Sequence, residues 1–250
     1  GTVWTWSRET SPELARTGLP RGRSLACSVD QCFMVTRWDR VVAWRDVDAA
    51  SPVQGLGDVA AVALGGRRAL ALTHTGRVWT WSPDAIDSPT LVPGLHGIES
   101  IAASERHYLA TSNDGTLWGW GANDPGQLGM ADLLDRAGPV AVPGIGSAVQ
   151  GAASDDRSYV LTADGELWAF GAGHAEPRRV ASPGEFVRLH TTVAGVLAER
   201  VDGGFWDCQT EQPLAAPVTA ILAPAIAAVR PTQARGVSGT GALVVGPGSV

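Results

Sequence analysis

The chain has 250 residues and a formal net charge of −6, enough length for one large core or two small ones. Apolar residues make up 44% and charged residues 18%, a soluble globular composition that excludes a disordered chain. No basic block stands behind the acidic balance, which argues against a general nucleic-acid or anionic-membrane surface.

All 19 basic residues are Arg. A GC-rich genome gives such a bias, and so does selection against lysine modification. The three Cys, at 27, 32 and 208, are too few for a disulfide framework. Cys27 and Cys32 could face each other across a hairpin loop, leaving Cys208 free. The longest uncharged apolar run, Pro213–Val229, is broken by Pro217 and Pro224 and does not read as a membrane helix. No signal peptide is visible, and the chain starts at Gly1 rather than Met, which leaves room for a removed upstream segment. Secreted and cytoplasmic locations both stay open.

In chain order, a pattern Gly-x-aliphatic-Trp-x-Trp recurs at Gly1, Asp39, Gly76, Gly115, Gly165, Gly203 and Gly241, in steps of 38, 37, 39, 50, 38 and 38 residues. A fixed period of this size marks a solenoid, propeller or array. Within one period the pattern is strand-like: Trp79 and Trp81 share a face, with Val78 and Thr80 on the other. A partner strand, Arg68–Thr73, lies upstream, and tight turns such as Asp114-Gly115, Asp164-Gly165 and Asp202-Gly203 join such pairs. Further segments at Val59–Leu64 and Ile98–Ala103, and Pro-marked ones at Pro89–Leu95, Pro139–Ile145 and Pro177–Ser182, bring the count to four short strands per unit, the size of one propeller blade.

Nine of the ten Trp occupy the two Trp positions of the repeat. Each ring buries roughly 150–250 Å², and since one blade cannot cover both of its faces, the rings are expected between neighbouring blades. An aromatic ligand cage is the functional alternative. Cys208 stands where other repeats have the second Trp, which predicts a buried, unreactive thiol. The seventh copy, GALVVG, has lost both rings and reads as a degenerate end.

These residues resemble the regulator of chromosome condensation repeat, a β-propeller family. The resemblance is closest over Ile98–Gly146, through IAASERHYLATSNDGTLWGWGANDPGQLGM, and the shorter repeats are similar to compact bacterial members. It implies an all-β propeller and a protein-binding role, either exchange-factor activity on a small GTPase or inhibition of an enzyme by capping its active site. Only Ile98–Gly146 has the long GQLG insertion, and only His107 fills the His position before the second strand. Family members are usually seven-bladed. The chain shows seven Trp-type strands but six preceding strand pairs, so counting gives six blades and the family norm seven. It opens on a third strand, which predicts circular closure, with N-terminal strands completing a blade begun at the C-terminus. Residues 1–250 read as one domain, and a chain that opens mid-blade can be one segment of a larger protein.

With strands numbered outward from the axis, the first-to-second and third-to-fourth loops share one face. That face is expected to carry Arg67, Arg68, Glu105, Arg106, Asp155, Asp156 and Arg157, together with the insertion Asn123–Pro139. On the insertion, Leu128, Met130, Leu133 and Leu134 could anchor a partner within a charged rim, or fold back as a short helix and cap their own blade. On the opposite face Trp38 sits at a hairpin tip, either as a hot spot or as cover for an adjacent loop.

The five His carry no metal-ligand spacing, and no P-loop, dinucleotide fingerprint or nucleophile elbow occurs. No cofactor, metal or catalytic residue is therefore assigned. The leading reading is a non-catalytic interaction scaffold for another protein. The alternative is an enzyme or small-ligand binder using the central channel, which convergent titrating groups at the channel mouth would support.

Overall fold

The computed structural model describes residues 2–7, 11–16, 21–28, 31–45, 49–181, 184–192, 195–214 and 240–245. Two strands come first, β1 (Thr2–Ser7) and β2 (Ser11–Arg16), followed by β3 (Gly22–Cys27), β4 (Cys32–Thr36), β5 (Val41–Trp44) and β6 (Ser51–Pro52). The next eight are β7 (Val59–Leu64), β8 (Ala69–Thr73), β9 (Val78–Trp81), β10 (Thr90–Leu91), β11 (Ile98–Ala103), β12 (His107–Ser112), β13 (Leu117–Gly121) and β14 (Arg136–Ala141). Then come β15 (Ala148–Ala153), β16 (Arg157–Thr162), β17 (Leu167–Gly171), β18 (His174–Arg179), β19 (Phe186–Thr192), β20 (Gly195–Arg200), β21 (Phe205–Asp207), β22 (Gln212–Pro213) and β23 (Thr240–Val245). The described residues contain no α-helix.

From β3 onward each consecutive set of four strands forms one four-stranded antiparallel sheet, giving five such blades. The first strands pack on one another around the molecule, β3 on β7, β7 on β11, β11 on β15 and β15 on β19, which places them innermost. Each carries a register shift after its first residue, between Gly22 and Ser24, Val59 and Ala61, Ile98 and Ser100, Ala148 and Gln150, and Phe186 and Arg188. A bulge at that point sharpens the local twist of the strand nearest the axis. The arrangement is an all-β propeller.

A sixth sheet has three strands in the order β2-β1-β23 and joins the two ends of the chain. β1 pairs antiparallel with β23 from Thr2↔Val245 to Ser7↔Thr240. This corrects one expectation. The GALVVG segment is not a seventh Trp-type strand, because Gly241 lies opposite Trp6 and the segment is the second-strand partner of β1. Five blades are four-stranded among the described residues, against the six or seven expected.

The apolar residues that alternate along the strands meet between blades. Trp81 is 1% exposed and lies edge-on to Phe33 of the preceding blade, with ring centroids 5.3 Å apart. Trp120 packs with Leu70, Leu72 and Val78 of the blade before it, and Phe170 with Leu109 and Leu117. Cys208 takes the corresponding place among Tyr159, Leu161 and Leu167. It is a free, fully buried thiol whose pKa burial pushes well up. The second aromatic position of the repeat is thus a packing position, worth about 3–5 kcal/mol when a large ring there is truncated.

The Gly of the repeat has a separate task. In the 112–116 turn the Asp114 carboxylate accepts from the Ser112 hydroxyl and from Thr116 N, while Gly115 sits at φ 82°. Its carbonyl accepts from Ala148 N at 3.0 Å, the first residue of the next blade. Equivalent bonds run from Val59 N to Asp39 O, Ile98 N to Gly76 O and Phe186 N to Gly165 O. A Cβ on Gly115 would meet Ser147 Cα at 2.7 Å, whereas one on Gly94 (φ 81°) would meet nothing. Both substitutions carry the left-handed penalty of roughly 1 kcal/mol, but only Gly115→Ala also pushes two blades apart. The expected outcome in chemical denaturation is a clearly larger stability loss for Gly115→Ala than for Gly94→Ala; equal losses would show that the latch contributes nothing.

Candidate protein-interaction face

The first-to-second turns share one construction. Ser28 N donates to Gln31 O (2.8 Å), Gly65 N to Arg68 O (3.0 Å), Ser104 N to His107 O (2.9 Å) and Ser154 N to Arg157 O (2.9 Å). The last three of these turns lift their two central residues into solvent, and Arg67, Glu105, Arg106, Asp155 and Asp156 are all exposed. Arg68 is exposed as well, whereas Arg157 is half-buried and reaches the carbonyl of Gln209 at 3.5 Å. The charge along this arc changes from basic at Arg67 and Arg68, through mixed at Glu105 and Arg106, to acidic at Asp155 and Asp156. Arg106 pairs with Asp124 of the insertion at 3.0 Å. Arg67, Arg68, Glu105, Asp155 and Asp156 make no ion pair among the described residues. Burial raises the pKa of Tyr108, opposed by the fields of Arg68 and Arg67. Tyr159 is pushed up to about 12 by burial, with Arg157 opposing.

The insertion is folded around two buried polar side chains. Asn123 is fully buried; its Nδ2 donates to Asp132 O at 2.8 Å and its Oδ1 accepts from Leu128 N at 2.8 Å. Asn123 N in turn donates to the Asp135 carboxylate at 2.8 Å. Asp132 binds Arg136 at 2.7 Å, and this bond, first among its partners, holds its carboxyl below the usual range. The loop also reaches the next blade: Gly173 N donates to Pro125 O, and Ala131 N to Ala175 O, both at 2.9 Å. Gly126, at φ 83°, makes that approach possible, since a Cβ there would meet Ala175 Cα at 2.7 Å.

The second polar side chain is His107, fully buried and sequence-distant from most of what it holds. Ser158 donates its hydroxyl to Gln127 O at 2.8 Å. Ser158 Oγ must then accept from His107 Nε2, 2.8 Å away, and His107 Nδ1 accepts from the Ser104 hydroxyl at 2.7 Å. One ordered chain of protons therefore ties a first-to-second turn to the neighbouring blade and to the insertion. Burial lowers the His107 pKa to about 3, so the ring stays neutral. With Ser104 and Ser158 buried as well, the chain holds structure and offers no accessible nucleophile.

One expected anchor changes role. Leu128 is fully buried, so it is not surface for a partner, and Met130 is half-buried against the cluster that contains Phe170. The insertion caps its own blade and the next without forming a helix. Its exposed apolar side chains are Leu133 and Leu134, 56% and 66% exposed. Asn123, Gln127 and Ser158 were not singled out by sequence reasoning; the available signal was that His107 and the insertion occur in the same repeat.

Elsewhere, Cys27 and Cys32 are directly opposed and disulfide-bonded. Among the described residues no group of three or more His, Cys, Asp or Glu is placed to hold a metal. No described helix is long and apolar enough to cross a membrane. Trp38 is 60% exposed, with the Arg37 guanidinium 4.3 Å from its ring centroid.

Residues 98–127 and 114–161 match the regulator of chromosome condensation (RCC1) repeat. This stretch, residues 98–161, is similar to the RCC1 repeat. The GQLG insertion and the His107 chain both lie within those matched residues. Human WBSCR16 superposes with a TM-score of 0.71 at 15% identity, over 92% of this chain and 83% of that one. Yeast RCC1 (Prp20), in a structure with Kap60 bound, gives 0.68 at 17% identity over 82% and 63%. Prp20p from Saccharomyces cerevisiae, described with its binding properties to Gsp1p and histones, gives 0.57 at 18% over 71% and 56%. At these identities the likeness is one of fold, and the chain spans under two thirds of either yeast chain. No curated protein matches the sequence.

The RCC1-repeat insertion should respond to pH through His107. Its folded pKa lies below its unfolded one near 6.5, so the unfolded chain takes up the proton first. Stability is full above about pH 6.5 and falls by up to about 1.4 kcal/mol per pH unit below it. Thermal melts between pH 7.5 and 5 are expected to show that slope in the native chain and a flatter one in His107→Gln, which also starts from a lower Tm. Parallel pH profiles would remove His107 as the cause.

Proposed function

We propose that this protein is a non-catalytic interaction scaffold, one propeller domain over residues 1–250 that binds another protein through the face of the first-to-second turns. The ring has six blades, the sixth completed by the two chain ends; the pairing of β1 with β23 supports this count. Arg67, Arg68, Glu105, Arg106, Asp155, Asp156 and Arg157 form the binding arc.

The observation that carries this reading is the run of exposed charges on short hydrogen-bonded turns, several of them without an ion-pair partner among the described residues. Fixed charges on a rigid scaffold set partner choice and encounter rate. Yeast Prp20, a propeller of the same repeat, has been crystallised with Kap60, and that supports protein binding as the use of this fold. A partner suited to the arc presents acidic groups opposite Arg67 and Arg68 and basic groups opposite Asp155 and Asp156.

The test replaces Arg67, Arg68, Arg106 and Arg157 together by Ala and compares recovery of a partner from the native source. The expected result is a loss of about ten-fold or more, the scale of a few interface charges, with an unchanged circular dichroism melt. Undiminished recovery would overturn this assignment of the face.

A further inference from the structure

On the opposite face, at the tip of the β4–β5 hairpin, an exposed indole sits among arginines. Trp38 N and Arg40 N both approach Thr36 Oγ1, at 3.4 and 3.3 Å, and Thr36 N donates to Arg40 O at 2.8 Å. Asp39 takes the left-handed turn position at φ 59° and pairs with Arg23 at 3.1 Å, with His74 Nε2 3.7 Å away. Arg37 covers one face of the Trp38 ring, and the side chain is still 60% exposed.

Four arginines belong to this hairpin and the strand beside it. Arg23 donates to Arg37 O at 2.9 Å, Arg37 N donates to Arg21 O at 2.9 Å, and the Arg40 guanidinium donates to Leu56 O at 3.1 Å. The carboxylate of the turn, Asp39, pairs with Arg23 at 3.1 Å. Arg21, Arg37 and Arg40 make no ion pair among the described residues. In a chain of net charge −6, an exposed indole with one guanidinium on its ring and further arginines in the same hairpin departs from the overall charge balance.

We propose that the Trp38 hairpin is a second docking site, for an extended acidic segment of a protein partner that also carries an apolar side chain. Guanidinium forks take carboxylates in paired hydrogen bonds. The open ring face takes the apolar side chain, and central Trp and Arg are the side chains that dominate interfaces of this kind. Nucleic acid fits less well. A phosphate chain gains affinity from many neutralised charges, while this patch is short, holds Asp39 at its centre and belongs to an acidic protein. The site is separate from the arc of first-to-second turns, and its success or failure does not depend on that arc.

The test is fluorescence anisotropy at low salt with a labelled peptide of roughly ten residues, Glu throughout except for one central Phe. A Gln-for-Glu counterpart and a thymidine oligonucleotide of similar length serve as competing probes. The acidic peptide is expected to bind, with affinity lower by about ten-fold in Trp38→Ala and again in Arg37→Gln, and unchanged in Arg67→Ala/Arg68→Ala. Trp38 and Arg37 are exposed, so both variants are expected to melt like the parent. Equal binding to Trp38→Ala, equal binding of the Gln peptide, loss in the Arg67/Arg68 variant instead, or tighter binding of the oligonucleotide would each overturn the proposal.

Discussion

A four-stranded blade cannot bury either of its faces alone, and everything else in this molecule follows from that. Trp81, Trp120 and Phe170 are all packed against the preceding blade, so each sheet is a folded unit only in company. Burial between sheets is non-directional and would by itself tolerate sliding. What fixes the stagger is the backbone bond from each second-to-third turn to the first residue of the next blade. Packing supplies the attraction and the turn carbonyls set the spacing.

Against that regular frame, the longest step of the repeat stands out for its polar interior. Asn123, Gln127, Ser158 and His107 are all buried; Ser104, His107, Ser158 and the Gln127 carbonyl form one line of hydrogen bonds, while Asn123 separately holds Asp132 and Leu128. Buried polar groups of this kind are costly when half-satisfied and specific when complete. These bonds, with those from Gly173 N to Pro125 O and from Ala131 N to Ala175 O, tie the insertion to its own blade and to the next. Its exposed Leu133 and Leu134 lie beside the charged arc as apolar surface of modest size.

How much of this could be read from the sequence depended on period. The repeat spacing and the Asp-Gly turns indicated strands, turns and the propeller, because periodicity survives even when single copies are weak. The inward placement of Cys208 followed from its position alone. Leu128 was harder: an irregular loop has no period, and whether a leucine on it points in or out depends on partners such as Phe170 and Asn123 that lie elsewhere in the chain. GALVVG was assigned to the wrong strand for a related reason. Once both rings are gone, an aliphatic alternation fits a second strand as well as a third, and only pairing decides. The bulges of the inner strands leave no sequence signal, since Arg23, Ala60, Glu99, Val149 and Val187 share no side-chain chemistry.

The sheet that joins Thr2 to Val245 also bears on how the chain reaches its folded state. Each of the five four-stranded blades is contiguous in sequence and can form from local contacts as it is made. β1 lacks its β23 neighbour until the far end of the chain arrives. The pairing of β1 with β23 closes a long loop, the kind of contact that slows folding most. Until then, β1 presents an open edge on which a second molecule can pair in place of the chain's own end.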